Sequence, residues 1–474
     1  MTPPRRMPFA LVISALAVVV TAVCLLGIGV RSTYGGRAAV DEPEYLLTAL
    51  SLAEDGDLDI SDELAAERWR DFHDAALPVQ TAALPGNRRI SPHDPLLPVL
   101  LAVPMGLGGF VAAKATLAVL SGVLAALTCW VAVRRLGVAV PVAAAVVGLA
   151  SVSPPLGIYA TQVYPEVPAA LAAMAGLAAV TGSLTRRGLV AVGVAVTALP
   201  WLSVKYSPVA AALAAVALVR LVRRADRARA WALTGGLALM GIAFAVAHRG
   251  IYGGWTAYAT GDHFENSGEL AVVGTGVDLP GRSLRLVGLL ADRGFGIAAW
   301  QPMWLLLPLV VAALVRRRPP LWAAVAAPLA AGWLTATYVA LTAHGYWWPG
   351  RQVVVVLPLG VLALCWWVGA ARLRVTAACA LGVVGVATFG WLLADGFAER
   401  ITWVSGFETT RAPAYRTLRP LLPDYRDPGA ATSAAHLLWC AALVALLVIG
   451  WRSVVPAADR STSPADQPQL DPVP

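Results

Sequence analysis

The 474 residues are 58% hydrophobic and only 14% charged, with a mean hydropathy of +0.68. Soluble domains carry about 25% charge, so this composition excludes an ordinary soluble fold and predicts an all-α polytopic membrane protein. The net charge of +8 lies largely in short arginine clusters between apolar runs, where it marks membrane orientation and not a nucleic-acid partner.

All but Lys114 and Lys205 of the 36 basic residues are arginine, and alanine and valine abound; the usage points to a GC-rich bacterial genome. Cys24, Cys129, Cys365, Cys379 and Cys440 fall within or at the ends of apolar runs and show no metal-ligand spacing, which argues against disulfides and a cysteine metal site. The N-terminal run from Phe9 to Val30 follows Arg5 and Arg6 like a signal peptide. It is too long for a typical secretory core and lacks a small-residue cleavage site, so it reads as an uncleaved first span.

Arginine clusters recur at Arg5/Arg6, Arg134/Arg135, Arg186/Arg187, Arg220 to Arg229, Arg316 to Arg318, Arg372/Arg374 and Arg452. If each faces the cytoplasm, each of the six intervals holds two spans and one external loop, giving about twelve transmembrane helices with both termini inside. The predicted spans lie at 8–30, 108–133 and 138–155, before Arg186, on either side of Lys205, before His248, at 297–315, on either side of His344 to Arg351, before Asp395 and at 435–451. Residues 95–109 are apolar, but a span there would invert the alternation, so a re-entrant or surface helix is expected. Residues 1–451 thus form one transmembrane domain, and 452–474, rich in Pro, Ser and Asp, read as a disordered cytoplasmic tail.

The first external loop, 31–95, stands apart: it holds 13 of the 28 acidic residues. Glu42-Pro43 reads as a helix start, because proline suits the first helical position and disfavours helix for the residue before it. Tyr45, Leu46, Ala49, Leu50 and Ala53 then repeat at helical spacing, predicting an amphipathic interfacial helix with Asp41 and Glu42 at its N-terminus. Capping alone accounts for such acids in many helices. Other polar candidates share their face, however: Glu166 after Tyr164-Pro165, the pair His93-Asp94, Lys205, Asp292-Arg293, and Arg351 after Tyr346-Trp347-Trp348. Arginine and tryptophan at membrane edges are individually ordinary. Gathered with carboxylates they describe a water-facing pocket at lipid head-group level.

The phrases Asp41-Glu-Pro-Glu-Tyr-Leu, Tyr164-Pro-Glu-Val-Pro, Leu199-Pro-Trp-Leu-Ser-Val-Lys, Asp292-Arg-Gly-Phe-Gly and Tyr346-Trp-Trp-Pro-Gly-Arg, in this order and sidedness, resemble blocks of the GT-C glycosyltransferases. The resemblance is to the protein O-mannosyltransferases, the lipid A aminoarabinose transferase and their bacterial cousins, and covers most of residues 8–375. It implies a sugar carried on a polyprenyl phosphate and moved, with inversion, to an acceptor hydroxyl on a lipid or cell-envelope glycan, outside the bacterial plasma membrane. It also implies Asp41 as general base, Glu42 in support and Glu166 as the second acid. Lys205, Arg293 and Arg351 would bind the leaving phosphate, and His93, Asp94, Tyr164 and Trp348 would complete the substrate site. No cofactor is firmly implied. A divalent metal, held by Asp41 and Glu166 if by anything here, is left open, as are the sugar, the acceptor, the oligomeric state and the identity of the base among Asp41, Glu42 and Glu166. The chain departs from the pattern in showing no recognisable large C-terminal domain, so nothing indicates a protein or polymer acceptor.

Two other readings compete. A secondary transporter suits twelve spans, but transporters place polar groups at the membrane midplane, and Lys114 is the main charge that strains the scheme here. A ligase or polymerase using polyprenyl-diphosphate substrates would use external arginines and histidines such as His248, His263 and His344. It gives no reason for the acidic pair after span 1.

Overall fold

The computed structural model describes residues 8–261, 278–340 and 342–454. Arg5, Arg6, His263 and most of the predicted tail lie outside these. The chain is an all-α polytopic membrane protein, and only isolated β-bridges interrupt the helices among the described residues.

The first half comprises α1 (Phe9–Leu25), α2 (Glu42–Glu54), α3 (Ser61–Ala65), α4 (Leu96–Arg134), α5 (Val140–Ser151), α6 (Leu156–Tyr159), α7 (Glu166–Thr181), α8 (Arg186–Leu202), α9 (Ser207–Arg223) and α10 (Arg227–Tyr252). The second comprises α11 (Leu279–Ser283), α12 (Arg285–Ala291), α13 (Leu307–Arg317), α14 (Trp322–Leu334), α15 (Leu357–Val368), α16 (Arg372–Phe397), α17 (Pro413–Leu418) and α18 (Ala430–Arg452). A helix occupies each predicted span, and seven of the helical segments are long and apolar enough to cross a membrane. α1, α5 and α7 are apolar but shorter.

Proline starts many of these helices: Pro43, Pro141, Pro208, Pro308 and Pro358 each stand in a first turn, where a missing N–H costs nothing. α4 is two helices in one. Gly108 leaves helical geometry and Gly109 takes a φ of +63°, available to glycine at no steric cost. The break keeps the apolar 96–107 segment distinct from the span that follows, at the place where the sequence separates them. Small residues set the closest helix contacts: a Cβ at Gly122 would run into Thr21 and the Ala17 carbonyl on α1, and one at Gly450 into the Leu309 carbonyl on α13. Without a hydrophobic drive inside lipid, such close backbone packing is a principal source of association.

The segment Arg351–Val368 is central, with 89% of its apolar window buried, whereas Arg227–Thr260 has 6% and is peripheral. Arginines of different clusters share partners. Arg135 and Arg220 both reach Gly182, Arg316 lies over Trp451, and Arg374 donates to the Ser453 carbonyl. The acidic loop and the turns bearing Glu166, Lys205 and Arg351 come together elsewhere, as described next.

Candidate active site

Asp41 stands at the N-cap position of α2 without a side-chain capping bond, and the helix begins at Glu42 with Pro43 in its first turn, as the sequence predicts. From Glu42 to Ser51 every residue of the helix is buried. Its polar side is covered by its own loop: Ser51 Oγ donates to the carbonyls of Asp57 and Asp59, and Glu44 Oε1 accepts from the Gln80 amide at 3.0 Å. Val40, just before Asp41, has a φ of +56°. For a β-branched residue this is a strained conformation, held by Gln80 Nε2 donating to the Val40 carbonyl at 2.9 Å.

Glu42 is wholly buried, and both its oxygens accept backbone amides, from Ala39 at 2.9 Å and Val163 at 2.7 Å. It ties the start of α2 to the loop before Glu166. That is a positioning geometry, leaving Asp41 as the carboxylate of the pair that faces open space.

Arg351 joins the site together. Its Nη2 donates to Asp41 Oδ2 at 2.7 Å and its Nε to Glu166 Oε1 at 3.0 Å. Lys205 Nζ donates to the same Glu166 oxygen at 2.9 Å. Four segments supply these four residues: the entry to α2, the first turn of α7, the Val204–Tyr206 turn between α8 and α9, and the 3-10 turn Arg351–Val356. Gly350 delivers Arg351 with a φ of +89°, and a Cβ there would collide with Ile297. The guanidinium lies over the Tyr164 ring at 4.0 Å and the Trp347 ring at 5.1 Å, a desolvated cation–π sandwich.

Two carboxylates and two cations make the cluster neutral at rest. Burial pushes the Asp41 carboxyl up, but the charges of Arg351 and then His93 pull it further down, to about 2. His93 itself is lowered to about 4 by burial; it stacks on Tyr45 with ring centroids 4.5 Å apart, and its Nε2 has no partner. Asp94 accepts from the Val204 amide at 2.9 Å and meets His248 Nε2 at 2.8 Å. It thereby fixes the turn that carries Lys205.

These groups line a cavity of about 330 Å³ whose walls include Asp41, Tyr45, His93, Lys205, Trp347 and Arg351. Asp41, Glu166, Lys205, Arg351, His93, Asp94 and Tyr164 are therefore brought together. Two candidates are not. Arg293 pairs with Asp424 at 3.1 Å and donates to the Leu422 carbonyl. Trp348 is buried among Trp300, Trp403 and Phe407, and its neighbour Trp347 takes the place at the cavity. Tyr45, Gln80, Ser203 and Tyr258 also line it, and no sequence pattern singles them out for this. For a metal the pair Asp41 and Glu166 fits poorly, because Arg351 binds both carboxylates and stands between them.

Glu44, one turn into α2, gives a pH prediction. Burial raises its carboxyl from 4.5 to about 7. A folded value above the unfolded one stabilises below about pH 4.5 and is lost as pH rises through about 7. Ionising Glu44 in place should cost roughly 3 kcal/mol. Glu44→Gln keeps an acceptor for the Gln80 amide, so its thermal midpoint should lose the decline between about pH 4.5 and 7 shown by the parent; an unchanged slope would contradict the assignment.

No family model matches the chain, and no curated protein matches it. It is similar in structure to ArnT from Cupriavidus metallidurans, solved bound to undecaprenyl phosphate and in the apo state. In each comparison the identity is 17%, the TM-score 0.47, and the match covers 93% of this chain and 74% of that one.

Proposed function

We propose that this chain is a GT-C-type glycosyltransferase that moves a sugar from a polyprenyl-phosphate donor to an acceptor hydroxyl at the external face of the bacterial plasma membrane. The observation that carries the reading is the Asp41–Arg351–Glu166–Lys205 cluster, of which Asp41, Lys205 and Arg351 line one cavity. Transfer breaks the bond between the anomeric carbon and the donor phosphate, which leaves with an added negative charge. Preformed cations stabilise such charge best, and Lys205 and Arg351 are at hand. The acceptor hydroxyl attacks the same carbon while Asp41 takes its proton.

A carboxyl held near 2 is a weak base. Its weakness comes from Arg351, so a donor phosphate that draws the guanidinium toward itself also frees Asp41 to accept a proton. Base strength then rises only when the donor is in place. The strained Val40 beside it is in keeping with a carboxylate held in a fixed direction.

Binding of a polyprenyl phosphate to the purified chain tests the reading. Saturable binding, weakened at least about tenfold in Lys205→Ala, is expected; binding unaffected by Lys205→Ala would contradict the phosphate site. Orientation has its own test. A cysteine replacing the exposed Ala83 should react with an impermeant reagent from outside, and one replacing the exposed Ala228 only after permeabilisation. The reverse pattern would overturn the placement of the site.

A further inference from the structure

Beyond the cavity, the first loop holds a second group of carboxylates with no role in the reaction just described. Asp55 caps the C-terminus of α2, and α3 carries Asp62 and Glu63. These three bring one oxygen each to within 4.8 Å of one another. Asp55 and Asp62 are exposed, but Glu63 is only 2% exposed, and neither of its oxygens has a hydrogen-bond partner. A buried carboxylate without a donor is a costly arrangement that needs a proton or a cation. Arg68, the basic side chain whose charge reaches Glu63, is committed by two bonds to Glu54, at 2.7 and 2.8 Å.

We infer that Asp55, Asp62 and Glu63 form a binding site for a divalent cation of the calcium type. The donors are all carboxylate oxygens, which suits a hard cation, and no softer ligand enters the group. Calcium takes six to eight oxygens at about 2.4 Å in flexible geometry, whereas magnesium demands a near-ideal octahedron and keeps several of its waters. All three oxygens lie within 4.8 Å of one another, close enough for a single ion to contact each of them. Gly56, with a φ of +79°, turns the chain directly after Asp55. Asp57 and Asp59 brace the turn that follows by accepting the amides of Asp59, Ser61 and Arg89. Backbone carbonyls and water complete such shells in known sites.

The bound ion would clamp the end of α2 to α3, at the opposite end of the helix from Asp41. The site stands whatever reaction Asp41 performs.

The test is equilibrium binding of calcium to the purified, chelator-treated full chain, with thermal midpoints measured in calcium and in magnesium. One calcium per chain, with a dissociation constant of about 0.1–1 mM as in extracellular modules, and a raised midpoint are expected. Glu63→Gln and Asp62→Asn should each weaken binding at least about tenfold. Glu63→Gln without calcium should be as stable as the calcium-free parent or more so, since a buried amide needs no counter-charge. Should Glu63→Gln fail to fold, Asp55→Asn, at an exposed position, replaces it. Absence of binding at about 10 mM calcium, or equal affinity in the parent and these variants, would overturn the site.

Discussion

Replacing Asp41 by asparagine is expected to reduce sugar transfer by at least about a thousandfold, within the range of a lost general base. Expression, membrane insertion and donor binding should be retained. Asparagine has almost the same shape, and Arg351 keeps its bond to Glu166, so the cluster loses one charge and no anchor. Glu42→Gln is the control that separates the pair. Both Glu42 oxygens accept backbone amides, so that change should lower stability more than it alters the pH dependence of turnover. Comparing initial rates with labelled donor at saturating concentration decides the matter. Transfer by Asp41→Asn at a rate near the parent's would remove Asp41 from the chemistry.

The second large effect is expected at Arg351, and it should appear in stability as well as function. Arg351→Ala leaves Glu166 buried and Asp41 half-buried, with Lys205 as the remaining cation bonded to either. Stripping one partner from a buried pair costs about 3–5 kcal/mol, so the thermal midpoint should fall sharply and donor binding should be lost. Arg351→Lys should recover little, because a single ammonium does not reproduce the separate Nε and Nη2 bonds. Lys205→Ala should be milder for stability, since Glu166 retains Arg351. The discriminating experiment is the double variant. If Asp41 and Arg351 are coupled as the geometry has them, adding Asp41→Asn to Arg351→Ala should restore part of the lost stability. Strict additivity would deny the pair.

The composition made the membrane class legible, and the spacing of arginines against apolar runs located the helices, because both follow from the cost of burying charge in hydrocarbon. The start of α2 was readable from Asp41-Glu42-Pro43 because proline acts locally. What the sequence could not reveal is how the two acids of that phrase divide. Glu42 turns inward to the Ala39 and Val163 amides and Asp41 faces the cavity, a choice made by a loop more than a hundred residues away. Covering of α2's polar side was equally hidden, because the segment that covers it pairs through backbone groups that carry no side-chain signature. Arg293 and Arg351 look alike as external arginines. Only the fold shows that Asp424 takes the first while two acids of the site take the second. Trp347 and Trp348 differ by one position on a turn, which suffices to send one to the cavity and the other to the core.

A structure of the chain with a bound polyprenyl phosphate tests the central claim most directly. The phosphate is expected within hydrogen-bonding distance of both Lys205 and Arg351, with Arg351 drawn away from Asp41 and the Asp41 carboxylate facing the position of the transferred sugar. A lipid phosphate seated away from Lys205 and Arg351, with the Asp41–Arg351 pair unaltered, would contradict it.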